Sequence, residues 1–268
     1  AISFAWKLFT EVWGMPADRL WPTVYLEDDD AAELWTEVAG VPAWKVTRRG
    51  AKDNWWSAGD TGPCGPCSEI FWDYHPERTG QPGHNPEDDE DSFVELWNLV
   101  FMQFDQVGGG VLVPLPRPSV DTGAGLERVT AILQGTDSNY ATDIFIPLIE
   151  RTRELTGQTP EEMERQIASY RVIADHGRAV TFLIGVGVLP GPSERGYVLR
   201  RVLRRALRHG RLIGLDRPFL TEIAQVVFDM MGEFYPELET RREFILRTIA
   251  TEEENFNRTM ISGLNRFD

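Results

Sequence analysis

The chain has 268 residues, 42% hydrophobic and 26% charged, which is the mixture of a globular protein and excludes a disordered or collagen-like chain. No window approaches 18 apolar residues, and the first residues lack the basic stretch and apolar run of a secretory signal, so neither a membrane nor an export route is expected. The formal charge of -15 excludes a simple cationic nucleic-acid coat, yet between Arg171 and Arg211 nine arginines and two acids give a local +7, leaving -22 elsewhere. The two cysteines, Cys64 and Cys67, make no disulfide scaffold, and a lone C-x-x-C lacks the second ligand pair of structural zinc; a reducing cytoplasm is the default expectation.

Residues 1–13 read as a helix, with Phe4, Ala5, Leu8, Phe9 and Val12 at spacings of three and four, broken by Gly14 and Pro16. Residues 20–26 read as a strand. Asp30, with Glu33 in capping-box position, is expected to open a helix over 31–38, and 41–47 reads as a short extended piece. The Gly- and Pro-rich segment 50–68 reads as a stiff loop, 69–74 as a strand, and 75–91 as an exposed excursion. Residues 93–104 read as a central strand, Gly108 to Gly110 as a hairpin turn, and 111–115 as the returning strand. Residues 119–122 end a strand, Gly123 to Gly125 lead into a helix, and Gly135 ends it. Helices follow near 143–155, 160–184, 196–213, 217–231 and 236–262. The fold class is therefore α+β, a sheet domain over 1–142 followed by a helical domain over 143–268.

Chemistry has four candidate homes. In the 54–69 segment, glycines can bring backbone amides to an anion and Trp55 and Trp56 can wall a pocket; a metal role for the cysteines would need partners such as His75 and His84. Glu95 and Asn98 interrupt an apolar run, as the wet side of a strand or as a pocket wall with Glu95 open to Mg2+. Asp121, before Thr122-Gly123-Ala124-Gly125, can accept from a ligand ammonium or cap the helix, and Arg128 can meet a phosphate or pair with Glu127. Residues 195–211 carry seven arginines, with Val198, Leu199, Val202, Leu203 and Ala206 on the opposing apolar stripe; this basic ridge suits a phosphate backbone unless the acidic half of the protein absorbs it. No P-loop and no dinucleotide-binding glycine pattern is present.

Taken in order, Asp53-Asn54-Trp55-Trp56, the run Gly59-Asp60-Thr61-Gly62-Pro63-Cys64-Gly65-Pro66-Cys67-Ser68-Glu69, and the stretches 95–104, 118–128, 171–176 and 195–209 resemble the bacterial alanyl-tRNA synthetases over nearly the whole chain. That resemblance implies a class II aminoacyl-tRNA synthetase-like antiparallel sheet followed by a helical tRNA-recognition domain. It implies ATP and Mg2+ as reactants of an alanine-activating step, and tRNA(Ala) as partner. By match, Arg128 contacts ATP phosphates with Gly125 beside it, and Asp121 holds the alanine ammonium. Trp56, Asn98, Val100 and Gly123 line the alanine pocket, and Glu95 is the metal-side carboxylate. Arg200, Arg201, Arg204, Arg205 and Arg208 face tRNA, and Glu194 stands where some members read the acceptor-stem G·U pair. The family's zinc-bearing editing domain and its motifs 1 and 2 have no counterpart here, so the expectation is a monomeric portion of a longer enzyme. The alternatives are a tRNA acceptor-stem binding fragment and a catalytically silent paralogue; a buried Asp121–Arg128 ion pair would support the latter. Two departures stand out: Gly177 replaces a usual apolar residue inside a helix, at a cost of up to about 1 kcal/mol, and Glu194 replaces a small residue or Asn.

Overall fold

A computed structural model describes residues 1–80, Pro82, Pro86 and 91–264, with the backbone alone for 261–264. The chain divides into two compact units, Ala1–Asn139 and Tyr140–Asp268. The first holds α1 (Ile2–Lys7), β1 (Leu20–Tyr25), α2 (Asp29–Glu37), β2 (Thr47–Arg49), α3 (Ala51–Asn54), β3 (Trp55–Ser57), β4 (Gly62–Asp73), α4 (Pro76–Thr79), β5 (Phe93–Gln106), β6 (Leu112–Ala124) and α5 (Leu126–Leu133). The sheet order is β2-β1-β4-β5-β6, with β3 also pairing β4; every pairing is antiparallel except β1 with β2.

One face of this sheet is closed by helices. Ala31 and Trp35 of α2, Val129 of α5, and Ile2, Ala5 and Phe9 pack with Leu20, Val24, Ile70, Trp72, Leu96 and Leu99. The Trp35 indole donates to Ser68 Oγ at 2.7 Å, which donates to the Thr23 carbonyl at 2.7 Å, so the one polar edge of this ring is satisfied. The first helix differs from its expected form. It is α-helical only to Lys7, continues as a π-helical turn over Leu8–Val12, and buries the stripe Ile2, Ala5 and Phe9; Phe4 and Val12 lie on the solvent side. The cap of α2 is Asp28, whose carboxylate accepts from the Ala31 amide at 3.0 Å; Asp30 sits inside the first turn.

The 50–68 segment is not a loop. Its second half, Gly62 to Ser68, is the first half of β4, and Gly65 explains why. A Cβ there would lie 2.2 Å from the Phe101 carbonyl oxygen, so only glycine lets β4 approach β5 at this point. The expected 41–47 strand is likewise shorter, a 3-10 turn over Ala43–Lys45 leading into β2. All nine tryptophans precede residue 98 and belong to this unit, with Trp6 against Trp35 and Trp21 against Trp44, each pair 5.7 Å apart at ring centroids.

The second unit comprises α6 (Ile146–Thr156), α7 (Pro160–Arg165), α8 (Ile167–Gly185), α9 (Glu194–Leu212), α10 (Leu220–Met231), α11 (Pro236–Thr240) and α12 (Arg242–Leu264). Its core gathers Leu148, Tyr170, Ile173, Val180, Ile184, Leu199, Leu203, Leu207, Phe219, Ile223, Phe228 and Ile249. The helix expected over 160–184 is two, broken at Gln166 (φ -120°); the first is opened by a full capping box between Thr159 and Glu162. Glu253 of α12 is almost fully buried and caps α10 from a distance, its two oxygens accepting from the amides of Phe219 and Leu220 at 3.0 and 3.3 Å. Gly177 is a packing residue: a Cβ there would lie 2.6 Å from Ile223 Cγ2, so its absence lets α10 seat against α8. None of the described helices is long and apolar enough to cross a membrane.

Candidate functional site

The sheet face opposite the helices carries most of the residues singled out in the sequence. Glu95 and Asn98 are three apart, and in a regular strand they would point to opposite faces. The register shows how they come together. Asn98 pairs with Glu69 and Trp97 with Ile70, but Phe71 pairs with Glu95, so β5 carries one extra residue, a bulge at Leu96. Glu69 and Phe71 are two apart and share a face, and their partners Asn98 and Glu95 share it with them. Leu96 meanwhile turns into the core.

Cross-strand rows complete the face. Thr23, Glu69, Asn98 and Gly123 form one row, and Cys67, Val100 and Asp121 the next. Trp56 pairs with Gly65, two residues before Cys67, where β4 and β5 slip register. Val100 is buried, whereas Asp121 and Gly123 are exposed on β6, and a Cβ at Gly123 would meet nothing within 4 Å. Asp121 Oδ1 accepts from the Thr122 amide at 2.9 Å, which fixes the carboxylate on an exposed strand.

Arg128 lies one turn into α5. Its Nη1 donates to the Glu95 carbonyl at 2.8 Å and lies 3.4 Å from Glu95 Oε2, with both side chains about two-fifths exposed. Gly125 is the N-cap residue of α5 and its amide donates to the Leu96 carbonyl at 2.8 Å; a Cβ there would press on the Arg128 stem at 3.1 Å. Arg128 pairs with Glu95, and Asp121 and Arg128 make no ion pair with each other; the geometry that would mark a silent paralogue is not the one seen.

The electrostatics of the face are set by burial. Glu69 is 7% exposed, and desolvation first, then the Glu95 charge, push its carboxyl up to about 7 against the opposing Arg49. Burial and Glu69 push the Cys67 thiol up to about 12, so it is no thiolate nucleophile at neutral pH. Among the described residues no three His, Cys, Asp or Glu side chains gather as a metal cage. His75 pairs with Glu77 at 3.3 Å, and His84 lies outside the described residues. Glu95 alone fits Mg2+ only where phosphate oxygens supply most of the coordination.

The geometry adds residues that the motif reading did not nominate. Asn98 Nδ2 donates to Glu69 Oε1 at 3.1 Å, and Asn54 Nδ2 donates to Thr23 Oγ1 at 3.0 Å and to the Cys67 carbonyl at 3.1 Å. The signal for Glu69 was a single charge opening the apolar run Glu69-Ile70-Phe71-Trp72.

In the second unit the arginines of α9 divide. Leu199, Leu203, Ala206 and Leu207 are buried, while Arg201, Arg205 and Arg208 are exposed at spacings of four and three, one stripe. Arg200 is half-buried. Arg204 is drawn onto α12, its Nε and Nη2 on Glu252 at 2.8 and 2.7 Å and its guanidinium over the Phe256 ring. Arg211 likewise reaches Asn257 and Asp216. Val198, expected in the apolar stripe, is 55% exposed. Beside the stripe His209 meets Ser169 at 3.0 Å, and burial, then Arg205 and Arg208, hold its pKa down. Glu194, the first residue of α9, has φ +50°, in the left-handed region that favours Gly or Asn.

A family model described as tRNA synthetases class II (A) matches residues 1–268. The chain belongs to the tRNA synthetases class II (A). Among curated relatives, an alanine–tRNA ligase of Halorhodospira halophila is 50% identical over 268 residues, all of this chain and 31% of its own. One of Magnetococcus marinus is 51% identical over 269 residues and one of Sphingopyxis alaskensis 51% over 268, again covering all of this chain and 31% and 30% of theirs. The chain thus spans less than a third of the length of the relatives it matches. The motif resemblance holds along its whole length, and the observed α+β architecture with a largely antiparallel sheet is the one that resemblance implies.

Proposed function

We propose that this chain is part of an ATP-dependent ligase that activates alanine and transfers it to tRNA(Ala), with residues 1–142 in the activating domain and 143–268 in the tRNA-recognition domain. The observation that carries the reading is the sheet face itself. A carboxylate (Asp121), an amide (Asn98) and an uncluttered glycine (Gly123) lie together on strands β5 and β6, with Glu95 and the guanidinium of Arg128 beside them. Asp121 and Asn98 take the alanine ammonium, Trp56 and Val100 leave room for a methyl side chain, and Arg128, eased off Glu95, takes phosphate oxygens with Gly125 giving it room.

In the first step an alanine carboxylate oxygen attacks the α-phosphorus of ATP. The new P–O bond gives alanyl-adenylate, and the bond to the β-phosphate breaks with pyrophosphate as leaving group. Glu95 would help hold a Mg2+ ion brought in with ATP, which would supply cationic charge opposite the leaving pyrophosphate. Such an in-line displacement needs position and cationic charge and no protein nucleophile, in keeping with the protonated, buried Cys67. In the second step the terminal ribose hydroxyl takes the acyl group and AMP leaves. Arg201, Arg205 and Arg208, with Arg200 at the edge, carry the phosphate-facing stripe; Arg204 belongs to the α9–α12 contact, and Glu194 stands at the head of α9 near the stem-reading position. We place the protein in the cytoplasm, where the proposed charging of tRNA takes place, with this portion acting as a monomer.

The test is alanine-dependent ATP–pyrophosphate exchange by the full-length protein, followed by charging of tRNA(Ala). Exchange with alanine and not with larger amino acids is expected. RNA binding without exchange sinks the ligase reading in favour of acceptor-stem binding alone.

A further inference from the structure

The face described above contains a buried acid to which the proposed reaction assigns no task. Glu69 sits in the middle of the sheet, paired with Thr23 on one side and Asn98 on the other. Burying a carboxylate is costly, and a core strand has no need of one. It has a side-chain partner on each side of the row: Thr23 on β1, and on β5 Asn98, whose Nδ2 donates to it at 3.1 Å. The carboxylate only accepts, so while charged it permits a single orientation of the Asn98 amide, with Nδ2 toward Glu69. Asn98 Oδ1 is thereby turned away, and it is buried and accepts no hydrogen bond. An acceptor held in place without a donor is matched by a ligand that brings one. The neighbouring acceptor on the same face is Asp121, one cross-strand row away on β6. Two acceptors so placed suit a primary ammonium, which has three N–H donors and no acceptor.

We propose that Glu69 is a positioning residue for the amino-acid ammonium: it locks the Asn98 amide with its oxygen toward the ligand, and acts on the substrate only through Asn98. The proposal rests on the alanine-activating reading. An uncharged or absent side chain at 69 lets the amide turn, and the face then offers N–H to an ammonium, which repels it. Arg128, the phosphate contact of that reading, touches Glu95 and neither member of this pair, so ATP binding should change little.

The experiment measures alanine-dependent ATP–pyrophosphate exchange in the full-length protein for wild type, Glu69→Gln, Glu69→Ala, Asn98→Ala and the Glu69→Ala/Asn98→Ala double variant. Glu69→Ala should raise KM for alanine about tenfold, the scale of one charge-assisted hydrogen bond, with KM for ATP within about twofold. Glu69→Gln, which keeps an acceptor of the same shape, should fall between and serves as the fold-preserving variant. The double variant should match Asn98→Ala, because Glu69 has nothing left to position. Unchanged alanine KM in both Glu69 variants, equal rises in both substrates' KM, or multiplying losses in the double variant would each overturn it. Wild type is measured first: no exchange there sinks the ligase reading and this role with it, whereas normal exchange with an indifferent Glu69 sinks this role alone.

Discussion

The sheet face of the first unit and the arginine stripe of α9 solve the problem of presenting charge in opposite ways. On the sheet, the candidate side chains come from neighbouring strands and the first turn of α5, and each is pinned: Arg128 to Glu95, Asn98 to Glu69, Asp121 to the Thr122 amide. On α9 the residues come from one helical period, and Arg201, Arg205 and Arg208 stand exposed, while the arginines a step round the helix are tied down by α12. Fixed, partly buried groups suit the recognition of a small ligand at defined angles. An exposed cationic stripe suits a phosphate backbone, where register matters less than charge.

The strongest way to break this comparison is to remove one pinned group. Asp121→Asn or Arg128→Ala should cut alanine-dependent exchange by about 10²–10³-fold, roughly 2.7–4 kcal/mol. Binding of an RNA acceptor duplex in a filter assay should not change; a parallel loss of RNA binding would show that the two surfaces are not separate in function.

The next effect concerns the cost of pinning. Glu69 has its carboxyl raised from 4.5 to about 7, so its charge opposes folding. A raised carboxyl binds its proton more tightly when folded; its contribution is most favourable below about pH 4.5 and is lost as pH rises through about 7, on the order of 3 kcal/mol. Glu69→Gln should therefore gain urea stability relative to wild type at pH 8, and the gain should shrink toward pH 5. A difference that stays flat with pH would refute a buried charge. Stability and the positioning of Asn98 pull against each other here.

Packing in the helical unit comes third. Gly177→Ala forces a methyl to 2.6 Å from a stiff β-branched side chain and should cost about 1–3 kcal/mol by chemical denaturation, although alanine is the better helix former. A stabilised variant would return Gly177 to the status of a tolerated defect. The smallest effect sharpens the stripe. Replacing Arg201, Arg205 and Arg208 by Gln should weaken RNA binding about tenfold and flatten its salt dependence by about 2–3 in slope. Arg204→Gln should leave affinity nearly intact and lower stability, because Glu252 loses its partner.

How much of this could be read from the chain follows the same divide. The α9 stripe was legible because helical period and residue type lie on one element, and the buried Leu199, Leu203 and Ala206 fall where the spacing puts them. Reading could not tell Arg204 from Arg205, since that depends on Glu252, 48 residues away. On the sheet, β1, β5 and the Gly108 to Gly110 turn were legible from apolar runs and glycines. The alignment of Glu95 with Asn98 was not, because a bulge breaks the period of two, and nothing local to Leu96 announces it. β4 was hidden for a related reason: Gly62, Pro63, Gly65 and Pro66 carry loop composition, and only contact with the Phe101 carbonyl explains a strand there. Glu69 was missed because its role lies in a cross-strand neighbour.

The confinement of all nine indoles to the first unit gives the protein a built-in optical partition. Within these 268 residues, intrinsic tryptophan emission reports on the sheet unit, while far-ultraviolet circular dichroism is dominated by the helices of the second. Two unfolding curves recorded on one sample thus follow two bodies, and their coincidence or separation measures how tightly the two melt together. Trp56, a member of the proposed alanine pocket, adds a third use: quenching on addition of alanine would report occupancy without a label.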